Sequence, residues 1–101
     1  PISAGYTKNI SELGVGYVNL LRLYNEEIKY DMLNDETISI SGGKMQARKV
    51  TVKVENGSEI HVEMAVLIPA PNRETTIIIR GTEDAMSKNE KQINMIIEEI
   101  R

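Results

Sequence analysis

Glu59, His61 and Glu63 set two carboxylates and the chain's one histidine at alternate positions, and alternate side chains of a strand share a face. Imidazole and carboxylate both ligate divalent ions, so Glu59, His61 and Glu63 are the candidate metal ligands. The spacing opposes that reading, because same-face neighbours stand about 6.6 Å apart and three in a row do not converge easily on one ion. Lys49 and Lys53 also offer the carboxylates partners, which reads the row as a solvated, salt-paired face.

The remaining motifs carry less. Gly42-Gly43-Lys44 has the look of a phosphate loop's end, but the G-x-x-x-x-G-K-[ST] spacing is missing and Met45 stands where a hydroxyl belongs. Gly14-Val15-Gly16 lacks the third glycine and the preceding strand of a dinucleotide site. No serine sits in a Gly-x-Ser-x-Gly elbow, and His61 is the one imidazole that could serve a nucleophile as base. Asn9-Ile10-Ser11 and Asn56-Gly57-Ser58 match the glycosylation triplet, which has meaning only in a glycosylating compartment. Asn72-Arg73-Glu74 on a Pro-flanked loop, with Tyr6, Tyr17, Tyr24 and Tyr30, offers material for a protein contact surface. No catalytic or cofactor-binding residue is assigned, and no cofactor is expected.

Composition narrows the class. With 101 residues, 41% of them hydrophobic, the chain suits one small domain with a core and little margin. A net charge of −3 with mixed signs, and no Phe or Trp, argues against nucleic acid. The absence of cysteine excludes thiol chemistry. No transmembrane run or signal peptide is evident, but the chain starts at Pro1. It reads as a processed or truncated piece, for which a lost leader or lipid anchor is the one route to a membrane.

The elements that would position these residues follow from periodicity. Lys49–Val54 and Ile60–Met64 flank Asn56-Gly57 as a hairpin. A three-residue Glu55-Asn56-Gly57 loop pairs Val52 with Ile60 and Val50 with Val62, and on the other face Lys53 with Glu59, Thr51 with His61 and Lys49 with Glu63. Thr37–Ser41 precedes a Gly42-Gly43 turn suited to positive φ, with Ile40 beside Met45 and Ile38 beside Ala47, on the face of Ala65 and Leu67. Ile77-Ile78-Ile79 in a strand over Thr75–Arg80 lacks alternation and fits burial on both sides. A first helix from Asn9 or Ser11 carries Ile10, Leu13, Tyr17, Leu20, Leu21 and Tyr24 at helical spacing, with Gly14 and Gly16 weakening it. A last helix, starting at Thr82 or Ser87, carries Ile93, Ile96, Ile97 and Ile100. Asn25 to Asp35 reads as a polar connection and Pro69 to Glu74 as a loop. The sum is an α+β fold, an antiparallel four-stranded meander with flanking N- and C-terminal helices in an α/β/α sandwich.

The runs Asn9–Leu23, Asn34–Met45 and Thr75–Glu83, with the closing Ile-rich helix, resemble the C-terminal two-thirds of PsbP-like domains, a family with lipoprotein and DcrB-like members. The resemblance implies a sandwich used for binding rather than catalysis, often extracytoplasmic on a lipid anchor. It transfers no functional residue. Members begin with a strand hairpin ahead of the first helix, so residues 1–101 are expected to form one such domain lacking that hairpin. The sheet edge this leaves would seek a protein partner or a second copy. Three functions follow as expectations: a non-enzymatic, extracytoplasmic binding domain; a small metal-dependent protein or enzyme using His61 with Glu59 and Glu63; and a cytoplasmic protein-binding adaptor. Calorimetric titration with zinc, manganese and calcium separates the second from the others, since it alone requires binding that disappears in His61→Ala.

Overall fold

Two glycine turns set the sheet. The computed structural model describes residues 10–69 and 74–100. Strands β1 (Lys29–Ile40), β2 (Met45–Asn56), β3 (Glu59–Ile68) and β4 (Thr75–Gly81) form an antiparallel sheet in the order β1-β2-β3-β4. Helix α1 (Leu13–Tyr24), entered through a 3₁₀ turn over Ile10–Glu12, covers one face, and α2 (Glu83–Lys88) with α3 (Glu90–Glu98) the other. This is the α+β meander with flanking N- and C-terminal helices that the periodicity implies.

At the first turn Ser41, Gly42 and Gly43 all have positive φ, and Ile40 faces Met45 and Ile38 faces Ala47 as expected. The second turn differs from expectation. Its loop is the two residues Gly57-Ser58, with Gly57 at φ 65° in the first central position that a type II′ turn reserves for glycine. Asn56 therefore faces Glu59, Val54 faces His61, Val52 faces Glu63 and Val50 faces Ala65. The expected shift differs by an odd number of residues, so every β3 side chain lies on the face opposite to the one expected. The Lys53–Glu59 and Lys49–Glu63 pairs do not form. Lys49 instead reaches Glu36 at 3.1 Å, and Lys53 reaches Glu83 at 3.6 Å.

The observed register is favoured because both helices need an apolar bed. Val50, Val52 and Val54 of β2 join Tyr30 and Leu67 beneath α1, where Leu13 and Val18 meet them. The β3 row Met64, Val66 and Ile68 turns the other way and joins Ile40, Ala47, Ile93 and Ile97 beneath α3. Ala65 and Leu67 thus share a face with the β2 valines rather than with Ile38, Ile40 and Ala47, and Val62 lies on the face opposite Val50. β2 and β3 present their apolar rows to opposite sides, so a core forms on each face of the sheet.

Two element boundaries also differ from expectation. The stretch from Lys29 to Asp35, expected as connection, is strand. Tyr30 and Met32 alternate with Lys29 and Asp31, and an irregularity between Met32 and Asn34 breaks the alternation before Asp35 resumes it. The C-terminal helix is two helices: the Thr82 hydroxyl accepts from Ala85 N at 3.1 Å to cap α2, and α3 begins after Asn89 with no side-chain cap. Leu20 and Tyr24 of α1 and Ile96 of α3, expected to pack, are exposed. Asn9, the earlier of the two expected starts of α1, lies outside the described residues.

Gly14 does more than weaken α1. The helix has no side-chain cap of its own, and Asp35 from β1 comes against its first turn, where a carboxylate suits the helix's positive end. A Cβ on Gly14 would overlap the carboxyl carbon and both oxygens of Asp35. Arg48 holds that carboxylate from β2, its Nε donating to Oδ1 at 2.5 Å and its Nη1 to Thr37 Oγ1 at 2.7 Å, so the carboxylate cannot swing aside at no cost. Gly14→Ala is expected to destabilise the fold by about 1–3 kcal/mol, as overpacking does. Thermal unfolding checks this in two backgrounds: the loss should shrink when Asp35→Ala removes the group the methyl meets, and equal losses would refute the assignment.

Candidate functional site

On the α1 side of β3 and β4, polar and apolar groups meet in rows set by the register. His61 lies opposite Val54. Glu63 lies between Val52 and Arg80, Ala65 between Val50 and Ile78, and Leu67 between Arg48 and Thr76. β4 therefore turns Thr76, Ile78 and Arg80 to this side.

Glu63 is the centre of the polar end. Its side chain is 12% exposed, and its Oε1 accepts from His61 Nε2 at 3.1 Å and lies 3.4 Å from Arg80 Nη2. A carboxylate only accepts, so the imidazole proton of this contact is on Nε2. Tyr17 from α1 and Tyr30 from β1 complete the surroundings. Burial raises the pKa of both phenols above 10.0, and the charge of Glu63 raises each further; around Tyr17, Arg80 acts in the opposite sense. The carboxylate is thus shared by two donors on the sheet.

Of the sequence candidates, the fold brings His61 and Glu63 together and sets Glu59 at the exposed start of β3 opposite Asn56. Among the described residues no group of three or more His, Cys, Asp or Glu side chains is gathered as metal ligands would be. Of the proposed contact surface, Tyr6, Asn72 and Arg73 lie outside the described residues, Tyr17 and Tyr30 turn inward, and Tyr24 and Glu74 are exposed.

Beside the polar end runs an apolar groove that sequence reasoning missed. Helix α1 packs on β1 and β2, which leaves the same face of β4 uncovered. Between them is an open groove of about 470 Å³, walled by Tyr17, Leu20 and Leu23 of α1, floored by Leu67 and bounded by Thr76 and Glu74. Leu20 is 54% exposed, Leu23 65% and Ile78 43%. The expected burial of Ile77-Ile78-Ile79 on both faces therefore holds on one: Ile77 and Ile79 pack against the α3 core, while Ile78 meets solvent. The unbroken isoleucine run was the available signal, and only the reach of α1 decides that one side stays open.

Comparison with family models, curated proteins and solved structures finds no match to this chain. Among the described residues no helix is long and apolar enough to cross a membrane.

The tyrosines report on the polar end. A phenol whose folded pKa is raised contributes stability that is complete below its unfolded value and is lost as pH rises through the folded one. Tm is therefore expected to fall above pH 10.0, and to fall less in Tyr17→Phe. Phenolate absorbance should show Tyr17 ionising at lower pH in Glu63→Gln, because the second cause of its shift is removed; an unchanged titration would mean that Glu63 does not act on Tyr17.

Proposed function

We propose that the protein is a non-enzymatic binding domain that takes an extended polypeptide segment along β4, with the α1–β4 groove receiving the segment's apolar side chains. The observation that carries this is an exposed apolar groove walled by Leu20 and Leu23 that reaches Thr76 of an edge strand, with exposed Ile78 the next residue of β4 on the same face. An extended segment added to a sheet edge gains main-chain hydrogen bonds, and pockets for its alternate side chains select among sequences.

The two edges of the sheet are unlike. Along β1, Arg22 Nη2 donates to the Tyr30 carbonyl at 2.9 Å, Lys29 and Asp31 line the strand, and the irregularity between Met32 and Asn34 breaks its regularity. Charges, bulges and covering side chains are the devices that blunt an edge. β4 reads Thr-Thr-Ile-Ile-Ile-Arg-Gly, rich in strand-forming residues, and among the described residues it pairs with β3 alone.

The PsbP-like resemblance supports a binding role and implies an extracytoplasmic, lipid-anchored setting; a cytoplasmic adaptor would use the same surface. Selection of a random peptide library displayed on phage tests the reading. Segments with alternating apolar residues are expected to be enriched on the wild-type chain and lost on Ile78→Lys and Leu20→Glu, both changes at exposed positions. No enrichment, or enrichment that survives both variants, would overturn it.

A further inference from the structure

We infer that the segment β4 takes is β4 of a second copy of this chain, antiparallel and centred on Ile78. The inference rests on reading β4 as a strand-accepting edge and names its occupant.

Directly opposed residues of an antiparallel pair share a face, so only registers that keep Thr76, Ile78 and Arg80 on the α1 side in both copies are allowed. Centred on Ile78, the pairing engages the whole of Thr75–Gly81. Ile78 meets Ile78 of the second copy on the face that also carries Thr76 at the groove's edge. On the α3 side Ile77 meets Ile79 in both directions, extending the row that packs against α3. Every isoleucine of the strand thus faces an isoleucine.

The neighbouring registers are poorer. Moving the centre to Ile79 sets Ile78 against Arg80 and Ile77 against Gly81. Moving it to Ile77 sets Ile78 against Thr76 and Ile79 against Thr75. Charge agrees with the Ile78 centre as well. Arg80 faces Thr76 of the second copy with Glu74 of that copy on the diagonal, within reach of long side chains, and no like charges are opposed. Arg80 is mostly solvent-exposed and held to Glu63 by a single 3.4 Å contact, and Glu74 is exposed, so both are placed to meet across the junction.

Sedimentation over a range of concentrations, with single-cysteine variants, tests this. The wild-type chain is expected to move from monomer to dimer as concentration rises, and Ile78→Lys, which opposes two like charges at the centre, to stay monomeric. The chain has no cysteine, so an introduced thiol reports alone. Under mild oxidation Ile78→Cys is expected to form a linked dimer at least about tenfold faster than Thr76→Cys, because a disulfide needs close Cβ atoms. The two copies of Thr76 stand about 13 Å apart in this register. A wild-type chain that stays monomeric at the highest concentration reached, or equal linking at the two positions, would overturn the inference. If that monomer still enriches peptides that Ile78→Lys loses, the strand-accepting edge stands and only its occupant is wrong; if it enriches none, both readings fall.

Discussion

The offset between the apolar rows of β2 and β3 is the constraint from which the rest of the molecule follows. A sheet covered by helices on both sides must supply each helix with apolar area. Here β2 supplies it with valines at 50, 52 and 54 on one face, and β3 with Met64, Val66 and Ile68 on the other. The Gly57-Ser58 turn is the local condition for that offset, and the packing of two helices is its reward. Like rows paired across the hairpin would have served one helix and left the other without a core.

One consequence is chemical. Because β3 spends its apolar row on α3, its other row, His61, Glu63, Ala65 and Leu67, lies on the α1 side and brings a carboxylate to a place where it is 12% exposed. Burying a charge is costly unless it is paired. His61 and Arg80 supply the pairing, one from the same strand and one from β4. The same logic holds at Asp35, where the carboxylate is held by Arg48 and set against the first turn of α1. There Gly14 is required by what passes beside it, not by its own backbone angles.

The other consequence is what stays bare. α1 seats itself on the β2 valines and on β1, and it does not extend across to β4. Its far side therefore presents Leu20 and Leu23, and β4 presents Ile78, without a cover among the described residues. Exposed apolar groups beside an edge strand are the kind of surface that other chains use. The surface on which the proposed binding rests is geometry left over after the core is satisfied, with no dedicated motif in the chain.

Much of the architecture was legible in the residues. The number of strands, the glycine turn at Gly42-Gly43, the Ile40–Met45 pairing and the two flanking helices with their anchors Leu13, Ile93 and Ile97 follow from local periodicity and turn chemistry, which neighbouring residues determine among themselves. The start of β1 was hidden because an irregularity at Leu33 breaks its alternation. His61 and Glu63 were legible as same-face neighbours, whereas Arg80 and Tyr17 join them only through strand pairing and helix packing. By itself the sequence determined which side chains alternate and where the chain can turn. Tertiary structure alone decided which face each row took, because an Asn-Gly-Ser segment permits several loops, and only the competing demands of two helices for apolar area select among them.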